Sequence, residues 1–458
     1  MNRKPPQNPS IILRTLKDPL KLAIWAYLVL LIFEGALRKW ILPGLSAPLL
    51  IVRDPVAVVI YFLALQRSSR PFTNQYVVIV GVIGFMSFMM TMITGHGDIK
   101  VALFGLRVLL LHFPLIFVMG QFLDREDVVL MGKFILLVSI PMTLLTVAQF
   151  NSPQSAYVNR SPGGEMGFGL TGALGRFRPS ATFSFITGLV QFYTLAGAFS
   201  LSSLVERKYF PLFITLGITG CIVITVPVSI SRTLFLNVVI LGLATVYGLS
   251  KAKASMTGLT RLAFLGILGF AIASQFKIFD IGLETFMARW QSATSDRGGF
   301  EEAILARFLG LLFDPFKIMW SVPMFGDGLG IGTIVGAQLS SGSSLFLAGE
   351  GEWGRHMVEM GSFLGVAMIA FRVYFTAKIG LFCHRQLTAK NLLSWLIYTA
   401  TFLLILNGQW GQSTTLGFTV FGTGLCLAAA RKVTPKSPPP RESTHIQDTR
   451  NPAGAGNS

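Results

Sequence analysis

Long apolar runs separated by short polar ones dominate this chain. A helix needs about 20 apolar residues to cross a hydrocarbon core, and the runs predict about twelve such spans. Their limits are 20–42, 48–65, 75–94, 101–119, 130–150, 180–204, 210–228, 233–249, 259–275, 357–379, 391–408 and 412–430. The stretch from Tyr209 to Tyr247 is too long for one span. Pro227, with Ser229, Ser231 and Arg232, predicts a hairpin that divides it. The first run, Leu20 to Phe33, leads into Glu34-Gly35-Ala36-Leu37-Arg38. That is not a small-residue cleavage site, so a retained first helix is expected rather than a removed signal peptide.

The polar stretches complete the layout. Residues 1–19 form a basic N-terminus, and residues 20–275 carry spans one to nine, with a Gly-, Pro- and Ser-rich loop at 151–179. A large loop at 276–356 follows, between spans nine and ten, then spans ten to twelve over 357–430 and a tail at 431–458. The tail is rich in Pro, Ser and Asn and reads as disordered. Within the large loop, residues 301–320 place Ile304, Leu305, Phe308, Leu311 and Leu312 on one helical face, predicting a helix on the outer leaflet or against the bundle. No internal repeat stands out, which disfavours transporter folds built from inverted halves. The expected fold class is all-α, a polytopic helix bundle.

Composition agrees: 52% of residues are hydrophobic and 13% charged, with mean hydropathy +0.62, where soluble domains carry about 25% charged residues. Charge then adds sidedness. Arg3/Lys4, Arg67/Arg70, Arg207/Lys208, Lys251/Lys253, His384/Arg385/Lys390 and Arg431/Lys432 fall in alternate loops, and the positive-inside rule places them in the cytoplasm with both termini. Arg38, Arg160, Arg176, Arg178, Arg289, Arg297, Arg307 and Arg355 fall on the other side, where basic residues are normally sparse. Arginine suits bidentate contact with phosphate, so a phosphate-bearing ligand outside the cytosol is indicated. The net charge of +17 is spread over both sides, which points to anionic lipid and substrate rather than nucleic acid. Cys221, Cys383 and Cys426 lie in apolar segments or an inward loop, so no disulfide framework is expected.

Five groups could carry chemistry. Glu34 and Arg38 share a helical face near Arg53 and Asp54, as a site or as an ion-pair network locking the first hairpin. Arg176 and Arg178 precede Pro179 at an expected helix entrance, a natural anion site unless they are ordinary loop charge. Arg232, between two apolar runs, needs a partner or an anion, or snorkels. Arg289 precedes the glycines of 326–332, which permit close backbone approach to a ligand. Neither a nucleotide fingerprint nor a calcium loop fits that glycine run. Finally Glu350, Glu352, Arg355, His356 and Glu359 cluster before the tenth span. Four of them share one helical face, giving general acid–base candidates or a satisfied ion-pair face. The histidines show no metal-ligand spacing, and no serine elbow or Cys/His pair is visible.

At these residues the chain resembles the O-antigen ligase and O-antigen/exopolysaccharide polymerase superfamily. The resemblance covers most of the length. It rests on Arg178-Pro179-Ser180-x-Thr182-Phe183, on Ser231-Arg232-Thr233, on Phe325-Gly326-Asp327-Gly328-Leu329-Gly330 and on Glu359-Met360-Gly361-Ser362-Phe363-Leu364-Gly365. The segment Glu34 to Trp40 looks like a subgroup of bacterial exopolysaccharide proteins. The family's frequent His-Asn before the last motif is replaced here by Glu350-Gly351-Glu352.

The resemblance implies a GT-C-like bundle in the bacterial inner membrane and a metal-independent glycosyltransferase with no cofactor. The donor would be an undecaprenyl-pyrophosphate-linked oligosaccharide on the periplasmic face. The expected partners are that substrate, membrane lipid and polysaccharide export or co-polymerase proteins. In this reading Glu352, Glu350, His356 or Glu359 takes the acceptor proton. Arg176, Arg178, Arg232, Arg289 and Arg355 hold the pyrophosphate, with Glu34, Arg38 and Arg53 in support. A polymerase of repeat units is the leading expectation. A ligase shares its chemistry, and a lipid-linked oligosaccharide flippase is the alternative of another class.

Overall fold

The apolar runs fold as helices, and several of their starts are set by short polar side chains. In the computed structural model the described residues are 15, 17–67, 70–165, 172–206, 210–252, 266–295, 309–310, 312–333, 335–336, 339 and 351–431. The first helix, α1 (Pro19–Ala36), is capped by Asp18, whose carboxylate accepts from Leu20 N and Lys21 N, and continues as a wider turn through Leu37–Ile41. It is followed by α2 (Arg53–Leu65), α3 (Gln75–Ile93, capped by Asn74) and α4 (Ile99–Leu110, capped by Asp98). Next come α5 (Leu115–Phe122) and α6 (Arg125–Asn151), which starts on a capping box made by Asp124 and Asp127. Then α7 (Ile186–Glu206), α8 (Leu212–Val228) and α9 (Arg232–Lys251) follow. Gly266–Ala273 is α10 and Lys277–Ser295 is α11. The chain closes with α12 (Glu352–Thr388), α13 (Leu392–Asn407) and α14 (Ser413–Ala429).

Among the described residues, eight helices are long and apolar enough to cross a membrane, or nine if α10 and α11 count as one bent span; α8, α13 and α14 are apolar but shorter. The protein is a polytopic helix bundle of membrane type. α13 and α14 pack on each other at its heart, with α14 against α5 and α13 against α7, α9 and α12. The bundle has two polar ends. At one, Asp18 meets Arg67 at 2.6 Å, Lys21 pairs with Asp127, and Arg125 bridges to Glu206 at 2.6 Å. The candidate site lies at the other.

Four features differ from the sequence reading. Pro179 does not open a helix. Residues 180–185 form a turn, with Ala181 at φ 47°, and α7 begins at Ile186. The turn is held from outside: Gln149 Oε1 accepts from Ser180 N (3.2 Å) and Ala181 N (2.7 Å), and Lys39 Nζ reaches Ser180 Oγ (2.7 Å). Next, the large loop does not begin as a loop. α11 lies at 98° to α10 and packs along α8. Then α12 starts at Glu352, several residues before the expected span. Last, Arg232 is partly rather than fully buried at the start of α9, where Ser231 is the cap. The Pro227 hairpin does form, with Ile230 at φ 51° in its turn. Of the 301–320 stretch, residues 301–308 and 311 lie outside the described residues; Leu312, Phe316 and Ile318 pack against Trp353 and Met357 of α12.

One long helix is not continuous. Gly361 sits at φ 77° inside α12 and breaks it. Segment 323–328 fits the break: Asp327 N and Gly328 N donate to Val358 O (2.9 Å) and Glu359 O (3.1 Å), and Phe363 N donates to Met324 O (3.1 Å). A Cβ on Gly361 would stand 2.3 Å from Gly326 N, and one on Gly326 2.4 Å from Gly361 N. Segment 323–328 and the Glu359–Phe363 stretch are therefore one interlocked unit. It also touches the end of α3, where Leu329 N donates to Thr91 Oγ1 (2.9 Å), and the α3–α4 connection, where His96 N donates to Asp327 O (3.0 Å).

Candidate functional site

The end of α1 gathers cations. Arg38 donates to Ser184 Oγ (2.8 Å) and Ser46 O (2.8 Å), with Glu34 3.9 Å away. Glu34 meets Arg53 at 3.1 Å, and Arg53 continues to Ser413 Oγ and Ser413 O at the start of α14. Lys39 is buried. Its ammonium meets Ser180 Oγ and Ala181 O (3.1 Å), and among the described residues no carboxylate lies within ion-pair distance. The corner thus sets Arg38, Lys39 and Arg53 against Glu34. Gly35 allows the approach: a Cβ there would stand 2.3 Å from Thr182 O. Deeper in the bundle, Tyr27 donates to His112 Nδ1 (3.3 Å), His112 Nε2 to Asp54 (3.1 Å), and Arg107 pairs with Asp54.

The head of α12 gathers both signs. Arg355 holds Glu352 through two hydrogen bonds (3.0 and 2.6 Å) and Glu359 through one (2.6 Å). Glu359 also accepts from Gly332 N (2.8 Å). Arg372, which lies beyond the break at Gly361, is fully buried and comes within 3.3 Å of Glu352. It also donates to Ile405 O (2.9 Å), Leu404 O (3.1 Å) and Gly408 O (2.8 Å), and stacks on Trp410 at 4.2 Å. Those carbonyls end α13, where a cation suits the helix dipole. Arg372 also lies 3.2 Å from His356 Nε2. Arginine can only donate, so Nε2 accepts and His356 is neutral.

These two groups meet through the loop from Gly408 to Ser413. Gln409, Gly411 and Gln412 line a small pocket with Gly332, Gly351, Glu352 and Arg355. The next residue, Ser413, is the one that Arg53 grips. Gln412 also accepts from Thr187 (3.3 Å), three residues beyond the Ser184 that holds Arg38.

Of the acid–base residues expected from sequence, Glu352 lines the pocket. His356 and Glu359 are fully buried beside it, and Glu350 lies outside the described residues. The His356 Nε2 lone pair is taken by Arg372, so that nitrogen cannot accept a proton from an acceptor hydroxyl. Arg355 is neutralised by two carboxylates, which leaves it no spare charge for phosphate. Its expected pyrophosphate role gives way to that of holding Glu352 and Glu359.

The other cations form a separate patch. Arg176 stacks on Phe150 at 5.0 Å and lines a cavity of about 100 Å³ with Gln154, Gly172, Ala173, Gly175 and Phe177. Arg289 of α11 donates to Gly172 O (3.3 Å), and the Gly172 backbone rests on Ile230, two residues before Arg232. Arg176 and Arg289 therefore converge on one loop, with Arg232 close behind. Arg178 lies on the strand of chain between this patch and Ser180.

Lys39, Arg372, Gln409 and Gln412 were not among the expected site residues. Arg372 had a signal, as a lone arginine inside an apolar span. The glutamines had none, since a polar loop between two spans is ordinary. Comparison with protein-family models, curated proteins and solved structures finds no match.

Proposed function

We propose that the protein is a glycosyltransferase of the bacterial inner membrane that polymerises undecaprenyl-pyrophosphate-linked oligosaccharide repeat units on the periplasmic face. One observation carries the reading: a pocket walled by a carboxylate adjoins a corner with excess buried positive charge, at one end of a membrane-type bundle. In this chemistry the acceptor oxygen forms a bond to the anomeric carbon as the bond from that carbon to the pyrophosphate oxygen breaks. The electron pair leaves with the lipid pyrophosphate, and Glu352 takes the hydroxyl proton. Cations stabilise the charge that grows on the leaving group. Arg176, Arg178, Arg232 and Arg289 serve that purpose, with Arg38 and Lys39 behind them. The GT-C-like fold, about twelve spans, cytoplasmic termini and export or co-polymerase partners belong to the same proposal.

The test is reconstitution of the purified protein with lipid-pyrophosphate-linked repeats in EDTA, with products resolved by size. A ladder of lengthening glycans is expected. Transfer to an added acceptor without a ladder would make the protein a ligase. Lipid binding with neither product would sink the enzyme reading and favour a flippase.

A further inference from the structure

We infer that the pocket beside Glu352 receives the hydroxyl-bearing end of the acceptor glycan, and that Gln409 and Gln412 select it. This rests on the glycosyl-transfer reading above and assigns one substrate part to one pocket.

Charge makes the first argument. Behind the pocket, Glu352 and Glu359 face Arg355 and Arg372, two carboxylates against two guanidiniums, and His356 is neutral. The sum is zero. A pyrophosphate would find no excess cation there and would meet a carboxylate at the wall. An anion is better served across Ser413, where the guanidiniums of Arg38 and Arg53 face the one carboxylate of Glu34, a positive excess among the described residues, with the Lys39 amine beside them.

Hydrogen-bonding capacity makes the second. A carboxylate offers about four lone-pair positions. Glu352 accepts two hydrogen bonds from Arg355 and lies 3.3 Å from Arg372, which leaves lone-pair capacity for an incoming hydroxyl. The two glutamines complete a wall suited to an uncharged polyol. Gln409 gives its carbonyl to the Gln412 amide, and no hydrogen bond to its own NH2 group is found among the described residues. The Gln412 carbonyl accepts from Thr187 (3.3 Å) and Thr415 (3.5 Å), which fixes how that side chain sits. Gly332, Gly351 and Gly411 line the rest of a cavity of about 10 Å³, the room of a single hydroxyl group. A site built to hydrogen-bond hydroxyls discriminates strongly against ligands that lack them.

The experiment uses glycan from a strain lacking this protein, with lipid pyrophosphate removed by mild acid so that it can only accept. Intact lipid-linked glycan serves as donor. In Gln409→Ala and Gln412→Ala the KM for the acceptor-only glycan should rise about tenfold, the size of one lost hydrogen bond. The donor KM and inhibition by inorganic pyrophosphate should not change. An unchanged acceptor KM, or a shift confined to donor and pyrophosphate, overturns the assignment. Gln412→Glu guards against misfolding: it keeps the shape, adds a charge, and should weaken acceptor but not pyrophosphate. Calorimetric binding of the acceptor-only glycan to the full-length protein, and its loss in the variants, reads the pocket without turnover. Glycan binding that the variants abolish, in a wild-type protein that transfers nothing, would therefore sink the glycosyl-transfer reading and leave the pocket assignment standing.

Discussion

At the head of α12 two guanidiniums face two carboxylates, and each charge is answered. At the end of α1 Arg38, Arg53 and Lys39 gather around one carboxylate, and among the described residues Lys39 Nζ rests on a hydroxyl, a carbonyl and the Trp40 ring. Both groups are buried in the same end of the same bundle, and a single loop touches both. Burying ions costs several kcal/mol each unless they are paired. The first group meets that cost internally, as a structural network does. The second does not, as expected of a place that awaits an anion. Residue type alone therefore says little about role; the local balance of charge says more.

Breaking the balanced group should have the largest effect. Arg355→Ala leaves Glu352 and Glu359 buried against too little charge, costing about 3–5 kcal/mol. Protein recovered from the membrane and its thermal midpoint should both fall; a midpoint like that of the wild type would end the claim that this network is structural. Arg232→Ala, at a partly buried position outside both groups, should abolish polymer while leaving the protein in the membrane. Normal polymer in that variant would remove Arg232 from the mechanism. Gly35→Ala drives a methyl into the Thr182 carbonyl and should cost about 1–3 kcal/mol by overpacking, with polymer output reduced because the turn carrying Ser180 and Ser184 shifts. Lys39→Met sharpens the comparison most directly. Stability should be unchanged or slightly higher, since an unanswered ion is removed, while the donor KM rises. A large loss of midpoint would show that Lys39 is structural. Smallest is Asp18→Asn at the opposite end. Burial raises the Asp18 pKa, but Arg67 and the backbone N–H groups of Lys21 and Leu20 outweigh it, so the folded value lies below the ordinary one. The stabilisation is thus complete above about pH 4 and fades as the pH falls through the lowered native value. The substitution keeps an equivalent cap, so it should cost about 0.5 kcal/mol through the lost ion pair with Arg67 and leave polymer length unaltered in a gel assay.

Much of the helix layout was legible because hydrophobic runs report burial directly. The hairpin at Pro227 and the pairing of Glu34 with Arg38 and Arg53 followed from local spacing. What failed was decided by distant partners. Pro179 is suited to a helix start, but Gln149 and Lys39 hold the following residues in a turn. His356 has the right chemistry for a base, but Arg372, 16 residues on, occupies its nitrogen. The ion-pair face of Glu352, Arg355 and Glu359, by contrast, lies within three and four residues and was one of the two readings that local spacing offered.

The interlock at Gly361 has a consequence for the order of synthesis. Segment 323–330 is made before α12, yet it is anchored on the α3–α4 connection and completed only by the carbonyls that the break in α12 exposes. Arg53, made early, waits in the same way for Ser413. The Arg53–Ser413 contact is therefore a clasp between an early and a late part of the polypeptide, one residue from the pocket. A nascent chain halted anywhere before α14 can hold much of the bundle in the bilayer, but it lacks the Ser413 that Arg53 grips.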